Sequence, residues 1–301
     1  MNLLNLFTKT YARLHNYKGI PYWMLSPARR LMRNITNRLL PRYLDNTHIV
    51  SQKKVIVSFT SFPARINNVW QVVECLFRQT YRPYKIILWL SREQFPDMTA
   101  VPASLLERQN DCFEIRLVDG DIRSHKKYYY AFQEFHDNLI FLVDDDLYYP
   151  SDMLENAMKA RRRHPGHVIS RYGYIMRYEA EKLLPYKAWT MQEGVSSDPN
   201  LFFGSGGGTL LEPASITPEI LHRELFLKLT PQADDIWLNA MVRLSNLPIY
   251  KIRSGLILPI YNKDNVTLAS SNLNENKNDE QIERVIDHFT RHQSVNPFEK
   301  R

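Results

Sequence analysis

Leu139-Ile140-Phe141-Leu142-Val143-Asp144-Asp145-Asp146 is the stretch on which the fold turns. A run of apolar residues this short, with no polar alternation, fits a strand covered on both faces better than a helix. The acids mark where that strand leaves the core. Three adjacent carboxylates repel one another and are costly to desolvate. A cation is the usual remedy, and carboxylate oxygens suit magnesium or manganese. A solvated loop or a helix N-terminus would also accept aspartates. Position favours the cation, because ligands of parallel sheets gather beyond the carboxyl ends of the strands.

Working outward, the same kind of run recurs at Val55–Phe59, at Ile86–Leu90 and, less continuously, at Phe113–Val118. Helix-periodic segments alternate with them: Val69–Phe77, a short one around Leu105, Lys126–Phe135, and one capped by Ser151 or Asp152 that runs to about Arg163. Strand and helix in alternation predict an α/β fold, a mostly parallel central sheet with helices on both faces. After residue 165 the alternation stops. Val168–Ser170 is β-prone, aromatic loops hold Tyr172, Tyr174, Tyr178, Tyr186 and Trp189, and a helix is predicted over Asp234–Leu244. A strand at Ile249–Ile252 and a helix at Glu280–His292 follow. The expected organisation is an N-terminal arm (1–48), a catalytic body (49–260) with halves at 53–150 and 165–255, and a polar loop and helix (261–301).

Composition narrows the function. The chain has 301 residues, 44% hydrophobic and 24% charged, which excludes disorder, collagen and a disulfide scaffold. Cys75 and Cys112 form no zinc spacing, and a reducing, cytoplasmic setting is expected. No apolar run is long enough for a membrane span, and the N-terminus lacks the pattern of a secretion signal. The net charge of +7 is unevenly placed. Residues 1–48 hold Lys9, Arg13, Lys18, Arg29, Arg30, Arg33, Arg38 and Arg42 against Asp45 alone, so they carry the whole excess. A neutral body argues against nucleic acid as a partner. Pro27–Leu40 reads as a basic amphipathic helix, suited either to an anionic membrane surface or to packing on its own domain.

Two further signals stand downstream. Gly204, Gly206, Gly207 and Gly208 lie within five residues. They form either a mobile loop or backbone that comes close to a ligand. Asp234-Asp235 opens the predicted helix, as dipole-favoured caps or as a general base. Trp237 either stacks on a sugar or fills the core.

In this order the signals resemble the GT-A glycosyltransferases, Rossmann-like enzymes, and particularly the bacterial family 2-like members, over about residues 53–255. Val55–Pro63 resembles the first strand and its nucleotide-contacting loop; Cys75–Ile87, with Gln79 and Pro83, resembles the helix and second strand. Asp144-Asp145-Asp146 matches the Asp-x-Asp motif, Gly206-Gly207-Gly208 the acceptor loop, and Asp234-Asp235 the acidic base. Where the family often reads the nucleotide base with an acidic pair, this chain has Trp89-Leu90-Ser91, leaving Asp119 or Asp121 to take that place.

The resemblance implies transfer of a sugar from a nucleotide-sugar, a UDP-sugar foremost, to a glycan or lipid-linked acceptor in bacterial surface polysaccharide synthesis. Asp144 and Asp146 would hold Mn2+ or Mg2+; Asp235, with Asp234 as alternate, would be the base. Thr60, Ser61, Arg65, Asp119, Lys126 and Asp145 would bind the donor, and Gly206, Gly207 and Trp237 the acceptor. Direct displacement inverts the anomeric centre; in a retaining reaction the acidic pair would only position the acceptor. The setting implied is cytoplasmic, peripheral at the inner face of the membrane. A sugar-phosphate nucleotidyltransferase is the rival enzyme, although Thr60–Arg65 lacks the glycine-rich phosphate loop that chemistry needs. A non-catalytic carbohydrate-binding protein is the rival of another class.

Overall fold

The computed structural model describes residues 10, 14, 22–39, 55–253, 258–260 and 277–301. Most of the basic leader outside its helix, and the polar stretch 261–276, lie outside the described residues.

A 3-10 turn at Tyr22–Leu25 leads into α1 (Ser26–Leu39), one residue displaced from the helix expected at 27–40. β1 (Val55–Thr60), α2 (Trp70–Phe77), β2 (Lys85–Ser91), α3 (Ala103–Leu106), β3 (Phe113–Val118), α4 (Lys126–Glu134) and β4 (Leu139–Val143) then alternate as the sequence predicts. β5 (Leu147–Tyr148) and α5 (Met153–Arg163) follow, then β6 (Val168–Ser170). The aromatic segment forms short strands: β7 (Gly173–Ile175), the small hairpin of β8 (Tyr178–Glu179) and β9 (Lys182–Leu183), β10 (Thr190–Met191) and β11 (Leu201–Phe203). β12 (Gly207–Leu211), α6 (Arg223–Leu229), α7 (Asp234–Leu244), β13 (Ile249–Lys251), β14 (Leu258–Pro259) and α8 (Lys277–Gln293) complete the described chain.

Among the described residues the main sheet has the order β13-β6-β12-β4-β1-β2-β3. β1, β2, β3 and β4 are mutually parallel, and β6 and β13 run the same way. β12 alone is reversed, antiparallel to both β4 and β6. The result is an α/β fold with a mostly parallel, Rossmann-like sheet and helices on both faces.

Successive strand residues point to opposite faces, and here both faces are covered. Val55, Val57 and Phe59 join Ile86, Leu88 and Phe141 beneath α2 and α5. Ile56, Ile87, Ile140 and Leu142 join Tyr128 and Phe132 of α4, and the buried faces of α7 and α8, on the other side. Each such aliphatic side chain contributes about 1.5–3 kcal/mol by leaving water. The continuous apolar runs are therefore the imprint of a sheet buried twice.

The glycine cluster is only half a loop: Gly204 and Gly206 lie in the buried turn after β11, and Gly207 and Gly208 open the wholly buried strand Gly207–Leu211. Gly208 takes φ +101°, a conformation that disfavours any side chain, where the pairing with β4 shifts register.

Trp237 is a correction to the acceptor assignment. It is fully buried, its indole N–H donates to the Ile220 carbonyl at 2.9 Å, and its ring lies between Phe226 and Phe289. Placing Asp235 toward the cleft puts Trp237, two residues on, on the inner face of α7. Trp237→Ala should therefore cost about 3–5 kcal/mol of stability, measured by urea unfolding, with acceptor KM unchanged at a permissive temperature. A raised KM with unaltered stability would contradict this placement.

Candidate active site

The carboxyl ends of β1 and β4 and the start of α7 surround a cleft of about 1060 Å3. Its floor is acidic. Asp144, Asp145 and Asp146 leave β4 in three directions, each meeting a different partner. Asp145 is buried, accepting hydrogen bonds from Ser61 Oγ at 2.5 Å and Arg65 at 2.7 Å. Asp146 lies 2.9 Å from the same guanidinium and keeps 33% of its side chain exposed. Asp144, 41% exposed, is paired with Lys127 Nζ at 2.9 Å. Its backbone N–H donates to the Gly206 carbonyl at 3.1 Å and to Tyr149 Oη at 2.7 Å, which fixes the turn.

Electrostatics sort these groups. Burial works against the charge of Arg65, yet Asp145 and Asp146 outweigh it and hold Arg65 above its ordinary value. Burial and the adjacent Asp144 charge push Asp146 up to about 7, with Arg65 pulling the other way. A partly buried acid raised by a neighbouring carboxylate is what a bound cation would relieve. Among the described residues no group of three or more His, Cys, Asp or Glu is placed to cage a metal. The donor set fits magnesium or manganese in the form that takes one or two carboxylates and completes its shell with substrate phosphates. Asp144 and Asp146, the two exposed members, are the ones that suit it.

Lys127 joins this floor to the opposite wall. It is buried, and its Nζ also lies 3.0 Å from Asp234 Oδ2. Burial disfavours its charge, but Asp144, Asp234 and Asp235 together hold it above the ordinary lysine range. Asp234 also accepts from Ser205 Oγ at 2.8 Å. Burial opposes its ionisation, and Lys127 outweighs that, holding it below the usual carboxylate range. Asp235 is placed differently. It is only half-buried, it faces the cleft, and its Oδ1 accepts the Ser205 backbone N–H at 2.8 Å. Burial and the Asp234 charge push it up to about 6. Two adjacent acids thus differ: one is a fixed counterion, the other a carboxyl that exchanges its proton near neutrality.

The two ends of the cleft differ in chemistry. At one end lie Thr60, Gln94, Asp121 and Lys126. Thr60 Oγ1 donates to the Trp89 carbonyl at 2.7 Å, Gln94 Nε2 donates to Asp121 at 2.8 Å, and Lys126 is ion-paired with Asp121. At the other end Tyr172, Tyr174, Tyr186 and Phe202 stand beside Asp235, with Tyr172 and Tyr174 hydroxyls 3.0 Å apart.

The cleft brings together Thr60, Ser61, Arg65, Lys126, Asp144, Asp145, Asp146, Asp234 and Asp235. Asp119 is not there: its side chain is 94% exposed and meets Arg92 on the surface. Gly120, at φ +78°, turns the chain so that Asp119 points out and Asp121 in. Trp89 is buried against Tyr130, with its indole N–H donating to Ser58 Oγ, so it reads no base. Gly206 lies under Asp144, where a Cβ would fall inside the carboxylate, and Gly207 lies against Tyr172. Gly206 thus supports the acidic floor rather than the aromatic end. Trp189 is in the core, its N–H donating to the Leu184 carbonyl at 2.9 Å. Ser205 and Gln94 escaped sequence reasoning. The signal for Ser205 was a lone hydroxyl flanked by glycines.

No family model matches the chain, and no curated protein does. Among solved structures the chain is similar to the crystal structure of 4-diphosphocytidyl-2C-methyl-D-erythritol synthase, with a TM-score of 0.42 and 12% identity. That likeness covers 71% of this chain and 96% of the other.

Removing Lys127 tests the electrostatic account. Lys127→Met leaves Asp234 buried without its cation and should cost about 3–5 kcal/mol near neutral pH. The depressed Asp234 contributes stability above its unfolded value of about 4, and that contribution is lost as pH falls. Urea unfolding should therefore show the gap between variant and parent narrowing in acid. A gap independent of pH would assign the loss to packing instead.

Proposed function

We propose that the protein is a GT-A glycosyltransferase, moving a sugar from a nucleotide-sugar, a UDP-sugar foremost, to a hydroxyl of a glycan or lipid-linked acceptor. The observation that carries this reading is the division of labour between Asp234 and Asp235 on one wall of a cleft whose floor is the Asp144–Asp146 cluster. A transferase of this kind needs a diphosphate site and a base for an incoming hydroxyl in one cavity, and these groups supply both.

Asp235 receives the acceptor proton. Its carboxylate is oriented by the Ser205 N–H and raised to about 6, near the operating pH of an efficient general base. Asp234 keeps Lys127 charged and in place rather than taking the proton itself. Displacement by the activated hydroxyl inverts the anomeric centre, as in single-displacement glycosidases. The end holding Thr60, Gln94, Asp121 and Lys126 suits the nucleoside, with hydrogen-bonding groups of both kinds. The tyrosine-rich end suits the acceptor, since aromatic rings offer an apolar face with polar hydroxyl tips. Asp144 and Asp146 would hold Mn2+ or Mg2+ together with the donor diphosphate. Such an ion, when bound, neutralises charge that grows on the leaving group.

Asp235→Asn preserves shape and removes the base, so turnover should fall by about 10²–10⁴ with donor affinity kept. In the parent protein kcat/KM should fall about tenfold per pH unit below the Asp235 value of about 6 and level off above it. A flat profile down to pH 5, or an unaltered rate in the variant, would remove Asp235 from the mechanism. Thermal shift with a panel of nucleotide-sugars, with and without manganese, identifies the donor, because a bound ligand raises stability by mass action. Asp146→Ala should abolish the manganese-dependent part of that shift; an undiminished shift would remove Asp146 from the metal site. Release of a nucleoside diphosphate supports the transferase; release of pyrophosphate would replace it with nucleotidyl transfer. Metal-dependent donor hydrolysis excludes a purely binding role.

A further inference from the structure

We infer that the outward face of α1 docks the protein on an anionic lipid surface. The inference stands apart from the chemistry of the cleft.

The first observation is the asymmetry of charge. Residues 1–48 carry all of the net +7, and the remaining 253 residues balance to zero. The second is that α1 has two unlike faces. Met32 packs inward on the core beneath the sheet, and Arg29 is buried, its Nε donating to the Leu14 carbonyl at 2.6 Å. The arm is therefore partly a packed element of the fold. Its other face is different. Leu31 is 57% exposed, and Met24, seven residues earlier in the turn that enters the helix, is 54% exposed. A spacing of seven residues is close to two helical turns, so the two side chains project on nearly the same side. Arg30 and Asn34 are exposed beside them.

Large apolar side chains flanked by a basic residue, on the segment that holds the charge excess, suit the boundary between lipid headgroups and acyl chains. A nucleic acid would use the charge but leave Met24 and Leu31 in water, and the neutral body offers it no second contact. No described helix is long and apolar enough to cross a membrane, so attachment through this face would be peripheral.

The test is sedimentation of the full-length protein with vesicles of phosphatidylcholine, with or without phosphatidylglycerol. The protein should pellet with the anionic vesicles at low salt, release as salt rises, and stay in solution with phosphatidylcholine alone. Arg30→Glu combined with Leu31→Asn reverses one charge and removes one apolar anchor at exposed positions. The pair should lower partitioning about tenfold or more, with the melting temperature kept. Failure of the parent protein to pellet with anionic vesicles, equal binding to neutral ones, or undiminished binding of the variant would each overturn the inference.

Discussion

Everything in the cleft depends on one buried ammonium. Lys127 lies within 3.0 Å of Asp144 on one wall and Asp234 on the other. A lysine removed from water keeps its charge only beside carboxylates, and carboxylates removed from water need the same. The requirement is mutual, so the end of β4, the start of α4 and the start of α7 are held at a common distance. Such a device adds little net stability over an apolar substitute, because desolvation consumes most of the attraction. What it provides is position. Asp144 and Asp234 cannot both approach Lys127 unless the two halves of the sheet stand in one particular relation.

The same cation explains why neighbouring acids behave differently. Asp234 and Asp235 are adjacent in the chain, yet Lys127 reaches only the first at ion-pair distance. Burial and the charge of Asp234, fixed as an anion, then raise Asp235 against a weaker pull from Lys127. Lys127 thus fixes Asp234 as a permanent counterion, and burial beside that counterion leaves Asp235 poised near neutrality. The acidic floor divides in a similar way: Arg65 takes up Asp145 and touches Asp146, so the most buried acid is neutralised from within, while Asp144 and Asp146 keep part of their carboxylates open to the cleft.

The first half of the sheet, β1 to β4, was legible in the sequence because its strands are buried on both faces. That environment writes short continuous apolar runs, and the acids that end one of them are conspicuous against it. α7 was legible to the residue, since Asp234 and Asp235 begin it and its apolar period continues to Leu244. The half after residue 165 was harder. β12 is glycine-rich and stands beside strands of opposite direction, so it carried neither an apolar run nor an alternating pattern. Trp237 was misassigned because periodicity reveals that a helix has two faces but not which one meets a ligand. Asp119 and Asp121 were left as alternatives, and a left-handed glycine between them decides the matter. The role of Lys127 rests on partners distant in the chain, and no local pattern announces such a contact.

The reversed direction of β12 is what completes the site. In a wholly parallel sheet only residues that follow strands reach the ligand-binding rim. An antiparallel neighbour brings to that rim the residues that precede it. Gly207 pairs with Val143, at the very end of β4, while Leu211 pairs with Ile140 near its start. Ser205 and Gly206 are thereby delivered to the rim from the other direction. Gly206 can lie under Asp144 only because it has no side chain, and Ser205 then stands where its hydroxyl meets Asp234 and its backbone N–H meets Asp235. One strand turned against the rest converts an acidic rim, common to any sheet that ends in aspartates, into a cleft with two chemically distinct walls.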